Sequence, residues 1–448
     1  RAGARGNRKR PHNASPRPAR QHNQGRHSGG APVVCANSSD NEQRMKKDRV
    51  GQNRAETEIR QRIASEGRIT FADFMETALY YPEGGYYTTQ KVVGGAGDYF
   101  TSPAAHPAFG ALLALQLERI WEVMGRPEPF HTVEMGAGDG LLARDLVEFT
   151  KHLQPEFTRA LEYLTTDRTT SGVAEMGITG CVISNELVDA FPVHRFRIDD
   201  GTLKETFVTI NHAGELVEEF GAPSTPLISR RLENLGRRLP EGFKGEVNLD
   251  ISPWMERVSR VLDRGFVITI DYGHEAEQLY SAKRSMGTLQ TYFRHTDGSS
   301  PYHRIGRQDI TAHVDFTAVV DEGRASGLSP LVLLSQAEFL NGIGMREIEK
   351  DISELKIDAY ERDANLMAIR ELVKPGGLGG YLVLIQQKRT GVRSFESLIL
   401  DASRTTALPA PLLRPEHIPL FAGRLSQTEF TIDHLWPLDQ DQHEDQSP

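Results

Sequence analysis

From Glu58 to Tyr80 apolar residues recur at helical spacing: Ile59 and Ile63, then Phe71, Phe74, Met75, Ala78 and Leu79. This spacing gathers them on one face, and Thr70 is placed to cap the second stretch. Residues 80–103 break the pattern with aromatics and glycines, including Tyr80-Tyr81-Pro82-Glu83-Gly84-Gly85-Tyr86-Tyr87, and read as an ordered, turn-rich loop. A long apolar helix is expected from Pro107 to Val123. Strand-type and helix-type runs then alternate. His131–Met135 is a short apolar strand ending in glycines, and Leu141–His152 is the helix after it. Further strands are expected at Leu161–Thr165, Cys181–Ser184 and Phe266–Ile270. The last, Phe-Val-Ile-Thr-Ile, has the composition of a central strand buried on both faces. Between the last two lie alternating pieces, His194–Ile198, Glu205–Ile210 and Glu215–Glu219, joined by Asp200-Gly201 and Ala213-Gly214 in the manner of hairpins. Late strands are expected around Ile310–Phe316 and Gly380–Gln386.

This alternation predicts an α/β fold with an open sheet whose ligands bind outside the carboxyl ends of the strands. No internal repeat is visible. Apolar residues make up 38% of the 448-residue chain, enough for a sizeable core. The charge is unevenly placed. Residues 1–39 hold eight Arg or Lys and no acid, so a head of +8 leaves −17 on the rest of a chain whose net charge is −9. The head has almost nothing to bury and is expected to be disordered and dispensable, an over-extended reading frame or a tail. The other reading is a basic arm that contacts anions. A net acidic chain argues against nucleic acid as the partner and suits, weakly, a basic peptide. Cys35 and Cys181 cannot make a disulfide framework or a zinc site, which fits a reducing compartment, and no metal is expected. The longest apolar runs, such as Ala108–Leu117, fall short of the ~18 residues of a membrane span. A cytoplasmic protein without a membrane segment is expected.

The most informative stretch is Glu134-Met135-Gly136-Ala137-Gly138-Asp139-Gly140, between a strand and a helix. Glycines there let the backbone approach a ligand while amides at the helix start face it. A dinucleotide fingerprint would need a small residue at position 141, which is Leu. The spacing G-x-G-x-G after an acid instead suits S-adenosylmethionine, with Glu134 near its amino group. Asp167, just past the next strand, is placed to accept from both ribose hydroxyls. A plain glycine turn with an N-capping Asp is the alternative. The third landmark is Ser184-Asn185-Glu186-Leu187-Val188-Asp189, where polar groups crowd a strand's carboxyl end. Such ends seat the nucleophile in methyl-transfer enzymes, although Asp189 could equally cap the next helix. Asp271-Tyr272-Gly273-His274 and His313-Val314-Asp315-Phe316 are candidate walls of the same pocket.

Taken in order, these stretches resemble the MidA family of class I methyltransferases, which includes mitochondrial protein-arginine methyltransferases that assist assembly of respiratory complex I. The resemblance runs from about Ile69 to Gln387. It rests on Ile69–Met75, Leu79–Tyr87, Gly97-Asp98-Tyr99-Phe100-Thr101-Ser102-Pro103, Glu134–Gly140, Asn185–Pro192, Asp271–His274, Gly287–Leu289 and Asp309–Phe316. It implies a Rossmann-like sheet with an N-terminal helical cap and a β-rich insertion. The expected divisions are a basic head at 1–55, a cap at 56–125, a methyltransferase domain at 126–390 with an insertion about 191–265, and an extension at 391–448 ending in an acidic tail. It also implies S-adenosylmethionine as cofactor, held by Glu134, Gly136, Gly138, Gly140, Asp167 and Asn185. The substrate side would use Gly97, Asp98, Thr101 and Ser102. Glu186 and Asp189 are the leading catalytic pair, with Asp271 and Asp98 in reserve, acting on an arginine-containing protein. A small-molecule O- or N-methyltransferase, or a non-catalytic assembly protein keeping the fold, are the alternatives. Only 13 residues separate Asp167 from Cys181, where the family fits a helix, a strand and a turn. The third strand and its adenine-contacting loop are therefore expected to be shortened or missing.

Overall fold

The computed structural model describes residues 53–89, 101–167, 177–293, 296–297, 300–399 and 408–417. Asn53 caps the first described helix, Arg54–Glu66, by accepting from the Ala55 amide, and the expected basic head up to residue 52 lies outside the described residues. Gly67 (φ 83°) ends that helix. After the two-residue strand β1 (Ile69–Thr70), the Thr70 side chain caps the helix Phe71–Tyr80 through the Asp73 amide, as expected. Within the expected loop at 80–103, residues 90–100 lie outside the described residues, and the parts on either side are less irregular than their composition suggests. They contain one-turn helices at Tyr86–Thr89 and Ser102–Ala105. The long apolar helix is Ala108–Val123.

The core strands follow in chain order: β2 (Phe130–Met135), β3 (Leu161–Thr166), β4 (Ile178–Asn185) and, after an insertion, β9 (Leu262–Asp271). The insertion supplies β5 (His194–Asp199), β6 (Thr202–Ile210), β7 (Leu216–Gly221) and β8 (Lys244–Val247). With β1 these form an antiparallel sheet in the order β1-β6-β5-β8, β7 pairing on β6. The β5–β6 turn at Asp200-Gly201 has φ of 53° and 65°, the left-handed pair that a tight hairpin requires. Residues 191–265 are not all insertion, because the helix Ile251–Val261 packs on the main sheet.

Past β9 come β10 (Gly273–His274), β11 (Gln290–Phe293), β12 (Thr296–Asp297), β13 (Asp309–Thr311), β14 (Val314–Asp315), β15 (Ser329–Ser335) and β16 (Leu382–Lys388). The expected strand at Ile310–Phe316 is a correction. It divides into β13 and β14, which belong to different small sheets, and Phe316 opens the helix Phe316–Ala325, capped by Asp315. The break follows from Ala312, whose amide turns aside to donate to Asp189 O (3.0 Å). Sheet pairing past β9 instead comes from β16, near the strand expected at Gly380–Gln386, and from β15, for which the sequence pattern held no expectation.

The main sheet has the order β15-β16-β9-β4-β2-β3. β3, β2, β4 and β9 run parallel, β16 runs against them, and β15, antiparallel to β16, returns to the direction of the parallel strands. Among the described residues β3 is the last strand on this side of the sheet, and residues 168–176, where the third strand is expected to be shortened or missing, lie outside the described residues. Side chains alternate along each strand. Cys181, Ile183, Phe266 and Ile268 face the helix Ala108–Val123, while Val182 and Val267 face the helices Ile251–Val261 and Phe316–Ala325. Helices thus cover both faces, and the polar groups Glu134, Asn185 and Asp271 stand at the carboxyl edge of the parallel strands. Ile268 sits fully buried at the centre of this sandwich. Ile268→Ala is expected to lower stability by about 2–5 kcal/mol, read as a shifted urea midpoint at unchanged slope. A midpoint within error of the parent would contradict the placement of the core.

Candidate functional site

β2 carries Glu134 and Met135 to the carboxyl edge, and the chain turns through Gly136–Gly140 into the helix Leu141–Phe149. Gly136, Gly138 and Gly140 have φ of 80°, 56° and 76°, conformations that cost any L side chain. Asp139 Oδ1 accepts from the Leu141 amide (3.1 Å), and Gly136 N donates to Thr166 O (2.8 Å). The second bond pins the glycine turn beside the end of β3 and so beside Asp167, which is exposed. A Cβ added at Gly140 would meet nothing within 4 Å, whereas one at Gly136 would come within 2.8 Å of Leu187 Cδ1, so the turn is open at its helix end and packed at its strand end.

Glu134 is buried, and its Oε2 accepts from the Tyr163 hydroxyl (2.9 Å). Burial pushes its pKa up to about 7, with the Tyr163 hydroxyl opposing and Asp139 adding to the rise. One strand over, the Asn185 amide donates to Glu186 Oε1 (3.1 Å), but Asn185 Oδ1 is buried with no partner among the described residues. A buried carboxylate and an orphaned amide oxygen flanking a glycine turn fit a ligand with an ammonium group and a ribose.

The second cluster lies at the ends of β4 and β9. Glu186 adopts φ 48°, an uncommon left-handed conformation for a side-chain-bearing residue, while its amide still donates to Ile270 O (2.9 Å). Its Oε1 accepts from Ser102 N (3.0 Å), so the helix Ser102–Ala105 reaches over the sheet edge to it. Asp189 is buried and accepts from the Tyr272 hydroxyl (2.5 Å), and its Oδ1 has no side-chain partner. Asp271 is fully buried, with both oxygens on backbone. Oδ2 accepts from the amides of Leu187, Val188 and Asp189 (3.2, 2.9 and 3.3 Å), and Oδ1 from Tyr272 N (2.9 Å). Burial raises all three pKa values. Glu186 reaches about 8, with the Asp189 charge adding, and Asp271 is lifted further by Asp189 and Glu186. No cationic side chain among the described residues contributes to any of them. Tyr272 lies against Tyr381 and His313, each with ring centroids 5.4 Å away, and forms an aromatic wall beside the acids.

A family model described as "Putative S-adenosyl-L-methionine-dependent methyltransferase" matches residues 112–171 and 166–334, spanning the glycine turn and the acid cluster. The chain belongs to this family. It is an S-adenosylmethionine-dependent methyltransferase of the class I fold. It is similar to the Drosophila melanogaster "Protein arginine methyltransferase NDUFAF7 homolog, mitochondrial", 28% identical over 311 residues, covering 58% of this chain and 68% of the relative. The Bos taurus "Protein arginine methyltransferase NDUFAF7, mitochondrial" is 25% identical over 399 residues, covering 78% and 87%. Among solved structures, a COG1565 superfamily protein from Burkholderia thailandensis bound to S-adenosyl-homocysteine superimposes with a TM-score of 0.67 at 26% identity. That match covers 82% of this chain and 97% of the other.

In the methyltransferase, Glu134, Gly136, Gly138, Gly140, Asn185 and Asp167 come together at one end of β2, β3 and β4. Glu186, Asp189 and Asp271 meet at the adjoining edge. Ser102 joins the second group through its amide, while its hydroxyl donates to Gln336 Oε1 (3.0 Å). Thr101 is only the residue preceding that helix and makes no side-chain cap. Gly97 and Asp98 lie outside the described residues. Asp271 is placed differently from the catalytic role expected of it. Its carboxylate is spent on backbone amides, so it shapes the turn rather than facing an acceptor. Asp189 does not cap a following helix, and its partner is Tyr272. Sequence reasoning missed Tyr163 and Tyr381 as members of the site, and placed Tyr272 in a candidate wall without its bond to Asp189. Their partners lie 29, 83 and more than 100 positions away, and no local spacing announces them.

Two outcomes follow from this geometry. Asp271→Ala should strand four backbone donors at about 1–3 kcal/mol each, lowering the melting temperature and speeding hydrogen exchange at amides 187–189. Parental exchange rates there would remove Asp271 from its place as the clamp. Glu134→Ala should abolish calorimetric binding of S-adenosylhomocysteine. In the parent, the melting shift given by that ligand should grow from pH 6 to pH 8, because Glu134 ionises near 7 and only the ionised form attracts an ammonium. A shift that is flat or falls with pH would contradict this.

Proposed function

We propose that this enzyme methylates an arginine side chain of a protein, with Glu186 and Asp189 gripping the guanidinium. One observation carries the reading: three carboxyl groups share one pocket, each with a raised pKa, and no cation of the described residues balances them. Such a pocket is unfavourable when empty and charged, and favours an occupant that brings a positive charge. A guanidinium is planar and always charged, and it presents paired donors that match carboxylates. The relatives named as protein arginine methyltransferases support the same acceptor.

The bound cofactor supplies a methyl group on a sulfonium. Glu134, the glycine turn, Asn185 and Asp167 would hold its amino-acid end and ribose. Glu186 and Asp189 would orient one terminal nitrogen in line with that methyl, so that the N–C bond forms as the C–S bond breaks. The same carboxylates would accept the proton lost from the methylated nitrogen. Tyr272 fixes Asp189, and Ser102 N fixes Glu186, so neither carboxylate is free to rotate away. Tyr272, Tyr381 and His313 would exclude water from the reacting side.

Incubation with isotopically labelled S-adenosylmethionine and arginine-containing protein substrates, including respiratory complex I subunits, tests the acceptor by mass and by hydrolysis to methylarginine. Label found only on small amines or hydroxyls would replace this reading with a small-molecule one. Glu186→Gln should slow single-turnover transfer by ~10²–10⁴ while leaving cofactor affinity near the parental value. The parental rate should climb between pH 6 and 9 as Glu186 ionises near 8. A Glu186→Gln enzyme at the parental rate, or a parental profile flat over that range, would move the chemistry elsewhere.

A further inference from the structure

The C-terminal segment 408–417 lies outside the family match and takes no part in the chemistry above. It is nevertheless tied into two elements that shape the site. Its apolar residues Leu408, Ala410 and Leu412 pack on the main core, and Leu413 packs against Ala364 and Ala368. Its polar ends are more specific. His417 is fully buried, and its Nε2 lies 2.9 Å from Asp145 Oδ2. Its Nδ1 accepts from Arg414 N (3.3 Å), so the proton sits on Nε2 and is donated to Asp145. Arg414 also forms ion pairs with Asp145 and Glu148. Asp145 is buried on the helix Leu141–Phe149, one turn beyond the glycine turn. Its carboxylate meets His417 and Arg414, both from the C-terminal segment.

The same segment reaches the acceptor side. Leu413 N donates to Asn365 Oδ1 (2.7 Å), and His106 Nε2 donates to that same oxygen (2.9 Å). His106 Nδ1 accepts from Ala108 N (3.0 Å), which fixes its tautomer too. His106 directly follows the helix Ser102–Ala105, whose first amide holds Glu186. One short segment therefore bonds to the helix that begins at the cofactor turn. Through one asparagine it also bonds to the element that positions Glu186.

We propose that residues 408–417 are a strap that sets the register between the cofactor turn and the segment 102–106, with His417 and Arg414 as positioning residues for cofactor binding. A Gly110 Cβ would come within 2.7 Å of Asp145 Cβ, so the helix Ala108–Val123 presses on Asp145 from the other side. Asp145 is thus held between a rigid helix and the strap, and loosening the strap releases the helix that presents the glycine turn. The inference concerns cofactor affinity and stands whatever the methyl acceptor is.

The test is calorimetric titration of the full chain with S-adenosylhomocysteine, well below each variant's melting temperature, with circular dichroism confirming the fold. His417→Phe should weaken binding by roughly tenfold, the scale of a disturbed supporting network. His417→Gln, whose amide can donate to Asp145 and accept from Arg414 N, should restore most of it. Arg414→Met keeps the His417 bond but removes the ion pairs. It should shift affinity in the same direction, and it carries the test if His417→Phe does not fold. Parental affinity in the folded variants would overturn the proposal and leave the segment as packing alone. An equal loss in His417→Phe and His417→Gln would also overturn it, because rescue by hydrogen bonding is what separates positioning from bulk.

Discussion

The carboxylate of Asp271 organises the functional edge of the molecule. It ends β9 fully buried and accepts the three successive amides of residues 187–189, while its other oxygen closes on Tyr272 N. Backbone donors in a dry interior must be matched, and here one side chain matches a whole turn. Because β4 and β9 are parallel neighbours, the clamp draws the chain leaving β4 across the end of β9. Asp189 O then receives Ala312 N, which fastens the same turn to the segment between β13 and β14. Held from both sides, Glu186 is fixed at φ 48° and its side chain is set at the sheet edge.

That arrangement gathers acids without cations. Each carboxyl has a folded pKa above its ordinary value, mainly through burial. Such a group favours the folded state below its unfolded pKa and loses that contribution as pH rises through its folded value. Near neutrality the free site therefore opposes the fold that builds it, and a cationic ligand relieves the opposition. Glu134 follows the same logic on the cofactor side, where the ligand brings an ammonium. The two halves of the site are electrostatically alike, and they adjoin at the end of β4, where Asn185 and Glu186 follow one another.

Much of this was legible in the residues themselves. The G-x-G-x-G turn after an acid, the polar end of β4 and the buried run of β9 appear where their patterns put them. Two readings failed for one physical reason. Ile310–Phe316 has strand composition, yet its middle is pulled out of line by Ala312 binding Asp189, and Asp315 caps a helix instead. Asp271 looked like a reserve catalyst because it stands at a strand end beside a pocket. Only the position of three amides some 80 residues away shows that it is occupied.

Local periodicity, turn chemistry and residue order by themselves determined the α/β class, the cofactor turn and the identity of the acids at the strand ends, because each depends on neighbours within a few positions. The tertiary structure decided what those acids do. Tyr163 reaches Glu134 only through the β2–β3 register, Ser102 reaches Glu186 only because the cap folds over the sheet edge, and Tyr272 reaches Asp189 only because β4 and β9 lie side by side. Hydrogen-bond partners and burial fix whether a carboxylate binds, clamps or strains. Both are properties of chain segments brought together across long separations, which no local pattern encodes.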